Sequence, residues 1–250
     1  MRLDDGLEMH YRTSIGPAPP NPVAVVLVHG FVVSSRYLVP LGEHLAPDFR
    51  VYAPDLPGFG RSDKPPQTLS IDKLAHALAA WMQAIGLERA HLIGNSMSCN
   101  ILVEFAVHHP HLVDRLVLQG PTTDPRARST LSQAIRWLQN ALREPPQPGL
   151  MIKDYATTGL RSAFENFRYL LDHRIEERLP SVQAPTLVVR GTRDPIVPQG
   201  WACQVTTLLP RGRLIEIPGA AHTINLYAPL EFTRVLRPFL IETTRGSTAA

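Results

Sequence analysis

Apolar positions along this chain switch repeatedly between a strand-like and a helix-like period. Val23 to Val28 is an unbroken aliphatic run, as a strand buried on both faces of a parallel sheet requires. Leu38, Leu41 and Leu45 then recur at helical spacing, and Val51-Tyr52-Ala53 is a second short strand, closed by Pro54-Asp55-Leu56-Pro57-Gly58. Ser70 is placed to cap a helix with Asp72 in its first turn. Leu74, Leu78, Trp81, Met82 and Ile85 form that helix's stripe, and Gly86 is its stop. His91-Leu92-Ile93 and Leu116-Val117-Leu118 read as further strands, separated by a helical pattern through Ile101, Leu102, Phe105 and Ala106. Strands alternating with helices through short connections predict right-handed crossovers and a largely parallel sheet.

From about 122 to 179 the strand signals vanish. Leu131, Ile135, Leu138 and Leu142 fall on one helical face, Pro145, Pro146, Pro148 and Gly149 interrupt, and helical stretches follow around 154–160 and 162–172. The alternation resumes with strands at Thr186-Leu187-Val188-Val189 and Leu214-Ile215-Glu216-Ile217, then a last helix over 226–240. The expected organisation is one α/β core from residues 1–121 and 180–243. A helical insertion at 122–179 covers the C-terminal edge of the sheet as a cap, where open parallel sheets place their sites. Residues 244–250, small and polar, are expected to be a flexible tail. The first strand-like stretch, Leu7 to Ser14, lies so near the start that either a missing edge strand ahead of it or a shortened start is expected.

Composition narrows the class. The 250 residues are 44% hydrophobic and 19% charged, the balance of a folded globular chain. The net charge of +3 comes from scattered Lys and Arg without a basic tract, so no nucleic-acid partner is expected. No apolar run approaches the length of a membrane span, and Met1 to Glu8 carries acids rather than a signal-peptide core. Cys99 and Cys203 are the only cysteines and have no metal-ligand spacing partner. A cytoplasmic location with reduced thiols is expected.

The chemistry converges on Gly94-Asn95-Ser96-Met97-Ser98, where a strand turns directly into a helix. A serine between small residues at such a turn has the setting of a nucleophile elbow. Its hydroxyl needs a general base, and the base needs an acid that holds its tautomer. Asp194 and His222 follow two later strands and fit those roles, in the order Ser, Asp, His. Asp124 is the rival acid. Backbone N–H groups of Met97 and of Phe31, in His29-Gly30-Phe31, are the expected oxyanion donors. Asp55 and Asp63 read as turn formers, Cys99 as a small core residue, and His108, His109 and His111 as a surface and capping cluster. Trp137, Phe164, Phe167 and Tyr169 either line the pocket or pack the insertion onto the sheet.

With these residues in order, the chain resembles the α/β-hydrolase family from His10 to about Leu240. The resemblance rests on His29-Gly30-Phe31, Asp55-Leu56-Pro57-Gly58-Phe59-Gly60-Arg61-Ser62-Asp63, the elbow, Gly191-Thr192-Arg193-Asp194 and Gly219-Ala220-Ala221-His222. It implies a serine hydrolase with no metal and no organic cofactor, acting on small to medium carboxylic esters as monomer or homodimer. The elbow also resembles that of the meta-cleavage-product hydrolases, which split carbon–carbon bonds in substrates carrying a carboxylate. Chemistry of that kind calls for an inward-facing arginine such as Arg168 or Arg190. The resemblance is also compatible with a lactonase using the same triad, and with a non-catalytic binding member of the fold. The pattern's usual final glycine is Ser98 here, which alters packing behind the nucleophile.

Overall fold

The computed structural model describes residues 1–3, 6–17, 21, 23–145 and 148–242, and the expected tail at 244–250 lies outside them. In chain order the strands are β1 (Tyr11–Thr13), β2 (Ala24–Val28), β3 (Val51–Pro54), β4 (Ala90–Asn95), β5 (Val113–Gln119), β6 (Thr186–Gly191) and β7 (Gly212–Ile217). The α-helices are α1 (Val39–Leu45), α2 (Ile71–Ala84), α3 (Met97–His108), α4 (Thr130–Ala141), α5 (Pro148–Thr158), α6 (Leu160–Asp172), α7 (Ile175–Arg178), α8 (Gln199–Leu208), α9 (Ile224–Tyr227) and α10 (Pro229–Ile241). The strands form one sheet in the order β1-β3-β2-β4-β5-β6-β7. Only β1, at the edge, runs antiparallel to its neighbour.

Register explains why distant motifs meet. Val28 of β2 sits beside Gly94 of β4, and Asn95 sits beside Gln119 of β5. The segments that follow, at 29, 96 and 120, therefore emerge side by side. Gly191 of β6 pairs with Ile217 of β7, so the loops holding Asp194 and His222 leave from the same edge. The chain goes from β2 to β3 on one side and then crosses to β4 on the other. That reversal opens a crevice beyond the strand ends.

Two apolar layers hold the sheet. On one face Leu74, Trp81, Phe105 and Trp201 pack with Leu92 and Leu116; on the other, Leu41, Leu45, Phe232 and Leu236 pack with Val25 and Val117. Helix α3 is buried from Met97 to Ala106, hence its apolar residues lie all round rather than on one stripe. The cap of α2 is Ser70, whose Oγ accepts from the Lys73 N–H. Helix α8 was not apparent from the sequence pattern, yet it buries Trp201, Ala202 and Val205.

Between β5 and β6 the described elements are all helical. The break between the two stretches expected at 154–160 and 162–172 falls at Gly159, whose φ of 78° is readily reached only by glycine. Leu131, Ile135, Leu138 and Leu142 share one face as expected, but that face meets water, with exposures from 49% to 82%. The inward residues of α4 are Gln133, Trp137 and Asn140. No helix of the described residues is long and apolar enough to cross a membrane.

The tight β4–α3 junction gives a first test. A Cβ on Gly94 would lie 2.8 Å from Leu102 Cδ1 and 2.9 Å from Ser98 Oγ. Gly94→Ala is expected to destabilise the fold by about 1–3 kcal/mol, read as a lower urea midpoint with an unchanged slope.

Candidate active site

Ser96 is the single residue between β4 and α3, and its backbone sits at φ 58°, ψ −121°. A non-glycine residue there is strained by roughly 1–3 kcal/mol, and the surroundings hold it in place. Its N–H donates to Gln119 O at 2.9 Å, and its carbonyl accepts from Cys99 N at 3.0 Å. Ser98 clarifies the departure from the usual glycine. Its buried hydroxyl accepts from the Asn95 N–H at 2.7 Å and lies within donating distance of Val28 O (2.8 Å) and Asn95 O (2.9 Å). The serine therefore ties the elbow to β2 as well as fitting behind it.

Asp194 and His222 meet on the far side. His222 Nδ1 lies 2.8 Å from Asp194 Oδ2, and Asp194 Oδ1 accepts from the N–H groups of Ile196 and Val197 at 2.8 and 3.0 Å. Both carboxylate oxygens are thus engaged, which fixes the ring through Nδ1. His222 Nε2 is buried and has no hydrogen-bond partner among the described residues. Burial opposes protonation of His222, but the charge and hydrogen bond of Asp194, with the Glu144 charge, raise its pKa above the ordinary value. Gly120, at φ 60°, leaves room for this ring, since a Cβ there would lie 2.8 Å from His222 Cε1.

Ser96 and His222 line one cavity of about 300 Å³, together with Gly30 and Phe31. A Cβ on Gly30 would sit 3.1 Å from Asn95 O, so the loop after β2 lies directly against the elbow. Met97, the first residue of α3, is fully buried behind Ser96. Burial lowers the His29 pKa, and its ring serves this loop: Nε2 accepts from Leu56 N, and Nδ1 lies 3.0 Å from Gly30 O.

The remaining candidates separate cleanly. Asp124 pairs with Arg136 at 2.9 Å and accepts from the Arg126 N–H, rather than meeting His222. Asp55 accepts from the N–H groups of Ser35 and Arg61 and pairs with His10, a turn-forming role. Burial raises the Cys99 thiol well above its ordinary pKa, which leaves it inert. Of the four aromatics, Trp137 lines the cavity and packs edge-on to Phe31, and Phe167 also contacts Phe31. Phe164 is instead 63% exposed, and Tyr169 is also exposed.

Five polar residues support the site from positions that carry no catalytic signal in the sequence. Asn95 Nδ2 donates to Gln119 Oε1 at 2.6 Å, and Gln119 Nε2 donates to the His222 carbonyl at 2.6 Å. The Tyr37 hydroxyl donates to Asn95 Oδ1. The strand that leads into Ser96 is thereby linked to the loop that carries His222. From the helical segment, Asn140 Oδ1 accepts from His222 N at 3.2 Å, and Glu144 accepts from the N–H and hydroxyl of Thr223. Asn95 was visible inside the elbow motif, but its partners lie 24 and 127 residues away.

Trp137, Ala141, Pro145, Tyr155, Ile196 and Leu226 make the cavity wall largely apolar. Glu144 lines it, and no lysine or arginine does among the described residues. Arg168 is exposed on α6, and Arg190 is turned toward Val197 O and Glu216.

Comparison with known proteins agrees with this architecture. The family model described as alpha/beta hydrolase fold matches residues 23–177, and one described as TAP-like protein matches 171–229. The chain is 28% identical to 2-hydroxy-6-oxononadienedioate/2-hydroxy-6-oxononatrienedioate hydrolase 2 of Pseudomonas putida, over 94% of this chain and 92% of that one. Among solved structures it is similar to a membrane phospholipase A described as a bacterial virulence factor. The TM-score is 0.80 at 25% identity, covering 96% of this chain and 84% of that one. The enol-lactonase of Burkholderia xenovorans LB400 shares the fold, with TM-score 0.78 at 21% identity over 96% and 98% of the two chains.

The Ser98 hydroxyl supplies a direct test of how the elbow is held. Ser98→Ala leaves the buried Asn95 N–H without its acceptor and is expected to cost about 1–3 kcal/mol of stability. Chemical denaturation of the purified variant measures it.

Proposed function

The chain belongs to the alpha/beta hydrolase fold family, and we propose that within it the protein is a serine hydrolase of small, uncharged carboxylic esters. The observation that carries this reading is the buried, unpartnered Nε2 of His222 on the cavity that Ser96 lines, with Nδ1 held by Asp194. Ser96 Oγ attacks the ester carbonyl while His222 Nε2 takes its proton, and Asp194 stabilises the resulting imidazolium. Backbone N–H groups of Phe31 and Met97 hold the oxyanion. His222 then protonates the leaving alkoxide, and an acyl-enzyme remains on Ser96. Water, deprotonated by His222, releases the acid and restores the serine. The step needs no metal or organic cofactor.

Residues 122–179 act as a cap in this reading, since α4 furnishes Trp137 and Asn140, the segment after it Glu144, and α5 Tyr155 to the cavity wall. Specificity follows from that wall. A largely apolar cavity that carries the Glu144 carboxylate and no lysine or arginine among the described residues favours an uncharged substrate over one bearing carboxylates. Of monomer and homodimer, the exposed stripe on α4 favours the dimer, because it leaves a row of apolar side chains in water.

A second reading is favoured by the Pseudomonas putida relative, whose name specifies a dioate substrate. In it the same triad serves carbon–carbon cleavage. Initial rates on p-nitrophenyl butyrate and on 2-hydroxy-6-oxononadienedioate separate the two. Faster turnover of the ester is expected, and the reverse preference would establish the second reading. Ser96→Ala is expected to lower ester turnover roughly 10⁴-fold or more while the protein stays folded.

The pH profile follows from His222. A base must be neutral to accept the Ser96 proton, so kcat/KM is expected to rise with pH through an apparent pKa above the ordinary histidine value of about 6.5. Asp194→Asn removes the charge that favours the imidazolium. It is expected to move the residual activity's midpoint to lower pH, measured by initial rates across the acidic and neutral range.

A further inference from the structure

The histidines at the far end of α3 form a cluster that the hydrolase site does not use. Asp72 and His76 lie one turn apart on α2, and Glu104 and His108 lie one turn apart on α3. Each pair therefore presents an acid and an imidazole on one helix face, and the two faces meet. His108 Nε2 is 3.1 Å from Asp72 Oδ1 and 3.3 Å from Glu104 Oε2. His76 Nε2 is 3.8 Å from Asp72 Oδ2, too far for a hydrogen bond. One ligand atom from each of Asp72, His76 and His108 lies within 4.8 Å of the others.

The other ring nitrogen of His76 is already engaged. His76 Nδ1 lies 3.0 Å from His109 Nε2. With Nδ1 as donor, the lone pair of His76 falls on Nε2, the atom that faces Asp72. A metal-bound histidine is oriented in this manner by a partner on its second nitrogen. Glu104 lies 2.8 Å from His173 Nε2 and accepts from Arg178 Nε at 2.9 Å.

We propose that Asp72, His76 and His108 form a site for a zinc-class divalent cation that clips α2 to α3. Two imidazoles and a carboxylate suit zinc, nickel or copper better than magnesium or calcium. Metal bonds of about 2.0–2.1 Å in tetrahedral geometry separate neighbouring ligand atoms by roughly 3.3 Å. The observed contacts, 3.1 Å from His108 Nε2 to Asp72 Oδ1 and 3.8 Å from His76 Nε2 to Asp72 Oδ2, lie near that value but on different oxygens of the carboxylate, so side-chain rotations bring the three ligands onto one ion. A water fills the fourth position, or Glu104 does by releasing one of its present partners. The site is structural, at the opposite end of α3 from Ser96, and takes no part in the hydrolase reaction.

Titration of the full-length protein with Zn²⁺ in a non-chelating buffer, followed by calorimetry, tests this. The expected result is one equivalent bound by the wild type, with affinity weakened about 10-fold or more in both His76→Ala and His108→Ala and retained in His111→Ala. Zn²⁺ should also raise the Tm of the wild type but not of the His76→Ala/His108→Ala double variant. These three histidines are solvent-accessible, and circular dichroism verifies that each variant folds. No saturable Zn²⁺ binding by the wild type would overturn the proposal. So would equal affinity in the double variant, which would place the ion elsewhere.

Discussion

Everything at this site depends on one backbone conformation, that of Ser96 at φ 58°. Moving from strand to helix across a single residue forces the chain into a region that side chains disfavour. In return, the serine stands at the sheet edge with a helix N-terminus directly behind it. The neighbours show what this demands. Gly94 has no room for a Cβ, Gly30 lets the next loop lie against the elbow, and Ser98 uses its hydroxyl to tie Asn95 to β2. The strain is local, whereas the restraint comes from three strands.

The second half of the site is held to the first by polar groups rather than by packing alone. Asn95 and Gln119 connect the elbow to the carbonyl of His222, while Asn140 and Glu144 hold the same loop from the helical side. These groups are buried or nearly so, where an unmatched partner is costly. The consequence is a histidine positioned from both sides of the cavity, with Nδ1 engaged by Asp194 and Nε2 left open. Burial alone would lower its affinity for a proton, and the paired carboxylate reverses that balance.

Much of this was legible in the sequence because it depends on local rules. The Val23–Val28 run, the Ser70 cap and the turn at Gly94–Ser98 each carry a short-range signal, and they correspond to β2, α2 and the β4–α3 junction. What was not legible depends on contacts between distant residues. The Leu131–Leu142 stripe has helical spacing, but spacing does not say which face the rest of the chain will cover; here it is Trp137 and Asn140 that turn inward. Helix α8 gives only a weak amphipathic signal, since its buried Trp201 and Val205 are interspersed with polar residues. Gln119 looks like the polar end of a strand until Asn95 and His222 are placed beside it. The absence of a cation from the described cavity wall likewise emerges only when Arg190 is seen to turn toward Glu216.

The central claim is that Ser96 is a nucleophile activated by His222. Its most direct test is incubation with a fluorophosphonate followed by peptide mass spectrometry. The account predicts one adduct per chain, on the peptide containing Ser96, and loss of that adduct in His222→Ala. An unmodified protein, or an adduct on any other residue, would contradict it.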